Sequence, residues 1–127
     1  MSELLSSPLD ASQIGLQGAV QPGPAGAGSF RILLRVDPAD LKLERRNDHW
    51  TGTVDVALHL ESSKQKTVQV RTSQIDLPEE TFREALQRGL IFEETVSTDR
   101  PADRVRIVVQ DRSTGFAGSL WLALVKN

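Results

Sequence analysis

"HWTGTVDVALHLES", His49 to Ser62, is the longest regular pattern in the chain. Its even-numbered residues Trp50, Gly52, Val54, Val56, Leu58 and Leu60 are apolar or small, whereas Thr51, Thr53, Asp55, His59 and Glu61 are polar, with Ala57 among them. Successive side chains of a strand point to opposite sides, so this alternation describes a strand with one face in a core and one toward solvent. Trp50 is then a large anchor at its start, and Gly52 a position where a side chain would crowd a neighbour.

The same period recurs on either side. Around Gln13 to Val20, Ile14, Leu16 and Val20 share a parity with Gly18, and "FRILLRV" turns Phe30, Ile32, Leu34 and Val36 inward and Arg31 and Arg35 outward. "KTVQVRTSQIDL" has Val68 and Val70 on even parity but Ile75 and Leu77 on odd, which predicts a bulge or break near Thr72 to Gln74. "LIFEETVS", "RVRIVVQ" and "GSLWLALV" complete seven strands. Between them, residues 21–29 ("QPGPAGAGS") read as a flexible loop. "DPADLKLERRNDH" reads as a long loop with turn formers at Asp37-Pro38 and Asn47-Asp48 and a short strand or helical turn at Leu41 to Leu43. "SSKQ" and "DRSTGFAG" read as turns.

One segment breaks the alternation. In "LPEETFREALQRG", Pro78 suits a first helical turn, Glu79 and Glu80 complement the positive end of the helix dipole, and Gly89 suits the residue past its end. Phe82, Ala85 and Leu86 share a face, and Glu79/Arg83 and Glu84/Arg88 are i,i+4 pairs, so residues 78–88 are predicted to form an amphipathic helix. Together these elements predict an all-β fold, a seven-stranded antiparallel immunoglobulin/fibronectin-III-like sandwich with one short helix in a crossover. A closed barrel is the rival; the parity switch and the helical crossover favour a chain that passes between two sheets. Residues 12–127 form the domain and 1–11 an N-terminal extension.

Composition narrows the function. A chain of 127 residues can bury one core without a staple, and its lack of cysteine excludes disulfides, thiolate zinc sites and cysteine nucleophiles. Its 15 basic and 17 acidic residues are interspersed, net −2, so no single-sign field draws nucleic acid or anionic lipid. No apolar run is long enough to span a bilayer, so no membrane insertion is expected, and "MSELLSSPLDAS" lacks the basic start and apolar stretch of a signal peptide.

The candidate binding surface is a set of loop residues, Asp37, Asp40, Asp48, His49 and Asp111, with Trp121 on the last strand. The loops carrying these aspartates, and Asp76, are expected at one end of the sandwich, where calcium would find oxygen ligands; without a D-x-D-x-D-G run, solvated turn aspartates are the plainer reading. Asp48 beside His49 could be half of a catalytic or metal constellation, but a metal needs three or four ligands and a triad needs a nucleophile. His59 has solvent parity. Glu94 has the inward parity of Leu90, Phe92 and Val96, so either its strand bulges or an arginine such as Arg104 or Arg106 answers it. Trp121, opposite in parity to Leu120, Leu122 and Leu124, either anchors a partner or packs under another element. No catalytic residue, metal or cofactor is assigned.

The segments "SPLDASQIGL" (7–16), "RVDPADLKLE" (35–44), "WTGTVDV" (50–56), "IDLPEETFREALQRGL" (75–90) and "RVRIVVQDRSTGFAGSLWLAL" (104–124) resemble the C-terminal β-rich domain of bacterial von Willebrand factor A-related proteins of the acidobacterial type. That resemblance implies a non-catalytic interaction or spacer module, following a von Willebrand factor A domain in a secreted or periplasmic protein, with that domain or another protein as partner. The metal-ion-dependent adhesion motif D-x-S-x-S of such A domains is not found in this chain, so metal-bridged adhesion is not carried over to any residue. A calcium- or carbohydrate-binding lectin-like sandwich is the alternative, and a hydrolase using Glu94 or the Asp48/His49 pair a third.

Overall fold

Residues 13–23, 29–61, 66–97 and 104–124 are described by the computed structural model; the N-terminal extension, most of the 21–29 loop and the "SSKQ" turn lie outside them. Among the described residues there are eight strands: β1 (Leu16–Pro22), β2 (Ser29–Val36), β3 (Glu44–Arg46), β4 (His49–Glu61), β5 (Lys66–Pro78), β6 (Leu90–Ser97), β7 (Arg104–Asp111) and β8 (Ala117–Ala123). A 3-10 turn, Pro38–Asp40, follows β2, and one α-helix, α1 (Glu79–Arg88), joins β5 to β6.

All pairings are antiparallel and form two sheets. One has the order β1-β2-β6; the other holds β3, β4, β5, β7 and β8. Within the larger sheet β5 pairs with β4 along its whole length, so β3 and β7 share the opposite edge of β4, β3 beside His49 to Thr51 and β7 beside Val54 to Glu61. Phe30, Ile32, Leu34, Val36 and Val96 of the small sheet face Val54, Val56, Leu58, Leu60, Val105, Ile107 and Val109 of the large one in a single buried core. These are the residues that alternation turned inward, and two-sheet packing is what removes them from water.

Four expectations are corrected. The eighth strand, β3, forms because Asn47 and Asp48 both take left-handed φ values of 51° and 63°, closing a two-residue hairpin between Arg46 and His49; such turns match the twist of the flanking strands. At Leu41 to Leu43 there is neither strand nor helical turn: the helical turn lies earlier, at Pro38–Asp40, and the strand later. The loop is shorter at its start than expected, since Gln21 and Pro22 still pair with Arg31 and Phe30.

The fourth correction matters most. β5 has no bulge or break: its pairing with β4 runs unbroken from His49↔Pro78 to Glu61↔Lys66. Ile75 and Leu77 point into the core, so Val68 and Val70, on the other parity of a continuous strand, point out.

α1 begins after Pro78 and ends at Gly89, whose φ of 85° suits a residue without a Cβ and whose N–H donates to Ala85 O at 2.7 Å. Ala85 is buried, and the ring of Phe82 stacks on Trp50 with centroids 4.3 Å apart. Trp50 Nε1 donates to Glu79 Oε2 at 2.8 Å, and Glu79 also faces Arg83 at 3.6 Å. Leu86 is instead exposed. A Cβ on Gly52 would meet Leu43 Cδ2 at 2.5 Å, the crowding expected there.

Candidate functional site

The loop aspartates sit at the end of the sandwich that carries the 3-10 turn and α1, and several hold backbone together. Asp37 Oδ1 accepts from Ala39 N at 3.0 Å, and Asp40 Oδ2 from Gly15 N at 2.8 Å. Asp111, buried, accepts from Lys42 N at 2.7 Å through one oxygen and from Ser113 N at 2.8 Å through the other. Asp48 pairs with Arg45 at 3.1 Å. The carboxylates of Asp37, Asp40 and Asp111 therefore satisfy amide donors that loops leave unpaired. Among the described residues no three His, Asp or Glu side chains converge in a way that could hold a metal ion.

His49 does not pair with its chain neighbour Asp48. Its Nδ1 lies 2.7 Å from Asp76 Oδ1 on β5, an exposed contact that fastens β5 to the start of β4. Asp76 belongs with His49 because the β4–β5 register sets it opposite Thr51.

Glu94 does point inward, and β6 does not bulge there, since Ile32↔Glu94 falls in an unbroken register with β2. Its ion-pair partner is Arg71 of β5, Nε to Oε2 at 2.9 Å, rather than Arg104 or Arg106. The side chain of Glu94 is only 10% exposed and that of Arg71 is 53% exposed, so the pair spans from the core margin to solvent. Burial raises the Glu94 pKa above the usual carboxylate value, and the Arg71 charge opposes that shift. Arg104 and Arg106 could not serve, because their parity places them on the far side of β7.

That far side is the outer face of the large sheet. Registers across β5, β4, β7 and β8 give two central rows, Val70–Ala57–Val108–Ser119 and Val68–His59–Arg106–Trp121. Val68 and Val70 are 49% and 54% exposed and Trp121 is 37% exposed, while Ala57 and Val108 lie buried between them. Arg104 Cζ stands 4.1 Å from the centroid of the Trp121 ring and Arg106 Cζ 5.8 Å, both within cation–π range.

Ion pairs flank these rows. On one side Arg104 Nη2 meets Glu61 Oε1 at 3.1 Å. On the other, Arg112 Nε donates to Asp55 Oδ2 at 2.9 Å and Thr72 Oγ1 donates to Asp55 Oδ1 at 2.7 Å. The Arg112 hydrogen bond holds the Asp55 pKa below its usual value, against burial. The face thus carries exposed valines on β5 and Trp121 on β8, with ion pairs beyond the two rows.

Trp121 lies in the row of His59, ten residues along β4 from His49, so about 33 Å of strand separates it from the loop end. The six predicted surface residues consequently fall on two regions rather than one. The sequence did not mark Val68, Val70, Arg104 and Arg106 as sharing this face with Trp121. Their signal was the parity switch in β5, which marks apolar residues left outside when the strand is continuous.

Among the described residues no helix is long and apolar enough to cross a membrane. No protein-family model, curated protein or solved structure matches the chain.

Proposed function

We propose that this chain is a non-catalytic interaction module that docks a protein partner through the outer face of its large sheet, centred on Trp121. The observation that carries the reading is the exposure of Val68 and Val70 on β5 and of Trp121 on β8, on one face of a regular sheet across β4 and β7, framed by the Glu61–Arg104 and Asp55–Arg112 pairs. Aromatic and aliphatic side chains with arginine at the centre and charged pairs around them are the composition of a protein-binding patch. Isolated exposed apolar residues would need no explanation; adjacent ones do.

The finer fold reading is immunoglobulin/fibronectin-III-like, supported by three strands ordered β1-β2-β6 facing β5-β4-β7-β8. The context proposed is that of the sequence resemblance: a secreted or periplasmic bacterial protein in which a von Willebrand factor A domain precedes this module and serves as its partner. Two measurements test this. The coding sequence is read for an upstream A domain, and that A domain is titrated with this one by calorimetry. Saturable binding that Trp121→Ala weakens by at least about tenfold supports the reading; an A domain that does not bind, or binds Trp121→Ala equally well, refutes it.

A further inference from the structure

The outer face of the small sheet carries two arginines in contrasting settings. Arg31 and Arg35 point the same way from β2, four residues apart. Arg31 Nε lies 2.8 Å from Glu93 Oε1. Arg35 stands in register between Gln17 of β1 and Ile91 of β6, so neither cross-strand neighbour offers a carboxylate. Among the described residues no ion pair to it is formed.

Arg35 lies instead against Gly89 at the end of α1. A Cβ there would meet Arg35 Cγ and Nε at 2.6 Å, so the glycine that stops the helix also makes room for the guanidinium stem. The two residues line a cleft of about 370 Å³, with Gly15, Leu16 and Gln17 on one side, Leu86 and Gln87 on another, and Asp37 beside them. Asp37 Oδ1 accepts from Ala39 N, which leaves its second oxygen for a ligand. The carboxyl end of α1 adds partial negative charge to the cleft.

We infer that this cleft binds a small zwitterion, the class of free α-amino acids. Arg35 receives the carboxylate through two parallel N–H···O bonds, Asp37 receives the ammonium, and an aliphatic side chain lies against the exposed Leu86. A cation and an anion lining one cleft disfavour a simple anion such as phosphate, which Asp37 would repel. The volume falls in the range of small-molecule sites. Because the cleft uses the small sheet and α1, it is independent of the Trp121 face and survives or fails separately.

The test is a titration of the ¹⁵N-labelled domain with L-leucine, followed by amide shifts. Saturable shifts at Gly15 to Gln17, Arg35, Asp37 and Leu86 to Gly89 are expected, with binding weakened at least about tenfold by Arg35→Gln and by Asp37→Asn. Isocaproate, which lacks the ammonium, and isoamylamine, which lacks the carboxylate, are each expected to bind at least about tenfold more weakly than leucine. Asp37 also caps the 3-10 turn, so the isocaproate comparison on the unaltered domain tests the ammonium contact even where Asp37→Asn fails to fold. Absence of saturable shifts with leucine, or isocaproate or inorganic phosphate binding as tightly as leucine, overturns the proposal.

Discussion

The two faces of the large sheet are built from the same strands, and both carry apolar side chains, yet they serve different ends. On the inner face Val54, Val56, Leu58, Val105, Ile107 and Val109 are sealed against the small sheet. On the outer face Val68, Val70 and Trp121 have no second sheet over them and keep a third to a half of their surface in contact with solvent. Apolar character is therefore not what separates core from surface here; the presence of a covering layer is. The inner face supplies stability, and the outer face keeps apolar area in contact with solvent, the area the proposed docking would use.

Substitutions test this division. The largest effect is expected from Leu58→Ala on the inner face, a loss of about 3–5 kcal/mol in denaturant unfolding, because the surrounding sheets cannot close the cavity. Its outer-face counterpart Val70→Ala should change stability by less than about 0.5 kcal/mol. Equal losses at the two positions would erase the distinction between the faces.

Arg71→Ala comes next, since it strands the inward Glu94 carboxylate. A loss of about 1–3 kcal/mol at neutral pH is expected, below the full cost for a buried pair because Arg71 is half-exposed. Glu94→Gln should be milder or even stabilising. The folded pKa of Glu94 is raised, so the native state binds its proton more tightly than the unfolded chain does. The penalty is absent below the usual carboxylate value and complete above the raised one, so this residue lowers stability as pH rises through that window. Unfolding measured across mildly acidic pH should lose this slope in Glu94→Gln.

Trp121→Ala should move stability by no more than about 1 kcal/mol, in thermal unfolding, while abolishing most partner affinity. A large loss of stability with affinity intact would assign Trp121 to the core instead.

The smallest effect sits at the charged margin. Asp55 has a lowered folded pKa, so its contribution is present above the usual carboxylate value and is lost as pH falls through the lowered one. Arg112→Ala should flatten that acid limb by slightly lowering stability near pH 7, where the contribution is present, and leaving it unchanged below the lowered pKa, as read by circular dichroism against pH.

Much of the fold was legible because a strand's period is strictly two. The inward sets of β2, β4 and β7 were readable residue by residue, and Pro78, Glu79 and Gly89 bounded α1 to within one residue. β3 was harder, because a three-residue strand carries too little alternation; only Asn47-Asp48, a pair tolerant of left-handed φ, signalled it. β5 misled for the opposite reason. A change of parity looks the same whether the strand bulges or whether its apolar residues face two ways, and only pairing with β4 separates the cases. Glu94 was correctly turned inward, but its partner came from Arg71, 23 positions earlier, where no local pattern connects the two.

What "HWTGTVDVALHLES" determined alone is that a strand runs there and which of its sides is wet, since side-chain direction follows from backbone geometry without reference to the rest of the chain. That Trp50 anchors against Phe82 and Glu79, and that Gly52 makes room for Leu43, came from segments outside the stretch. Which strands flank β4, that His49 answers Asp76, and that Val68, His59, Arg106 and Trp121 form one row were decided only by tertiary structure. Rows across a sheet are set by register between distant segments, and register is a property of the assembled sheet rather than of any one strand.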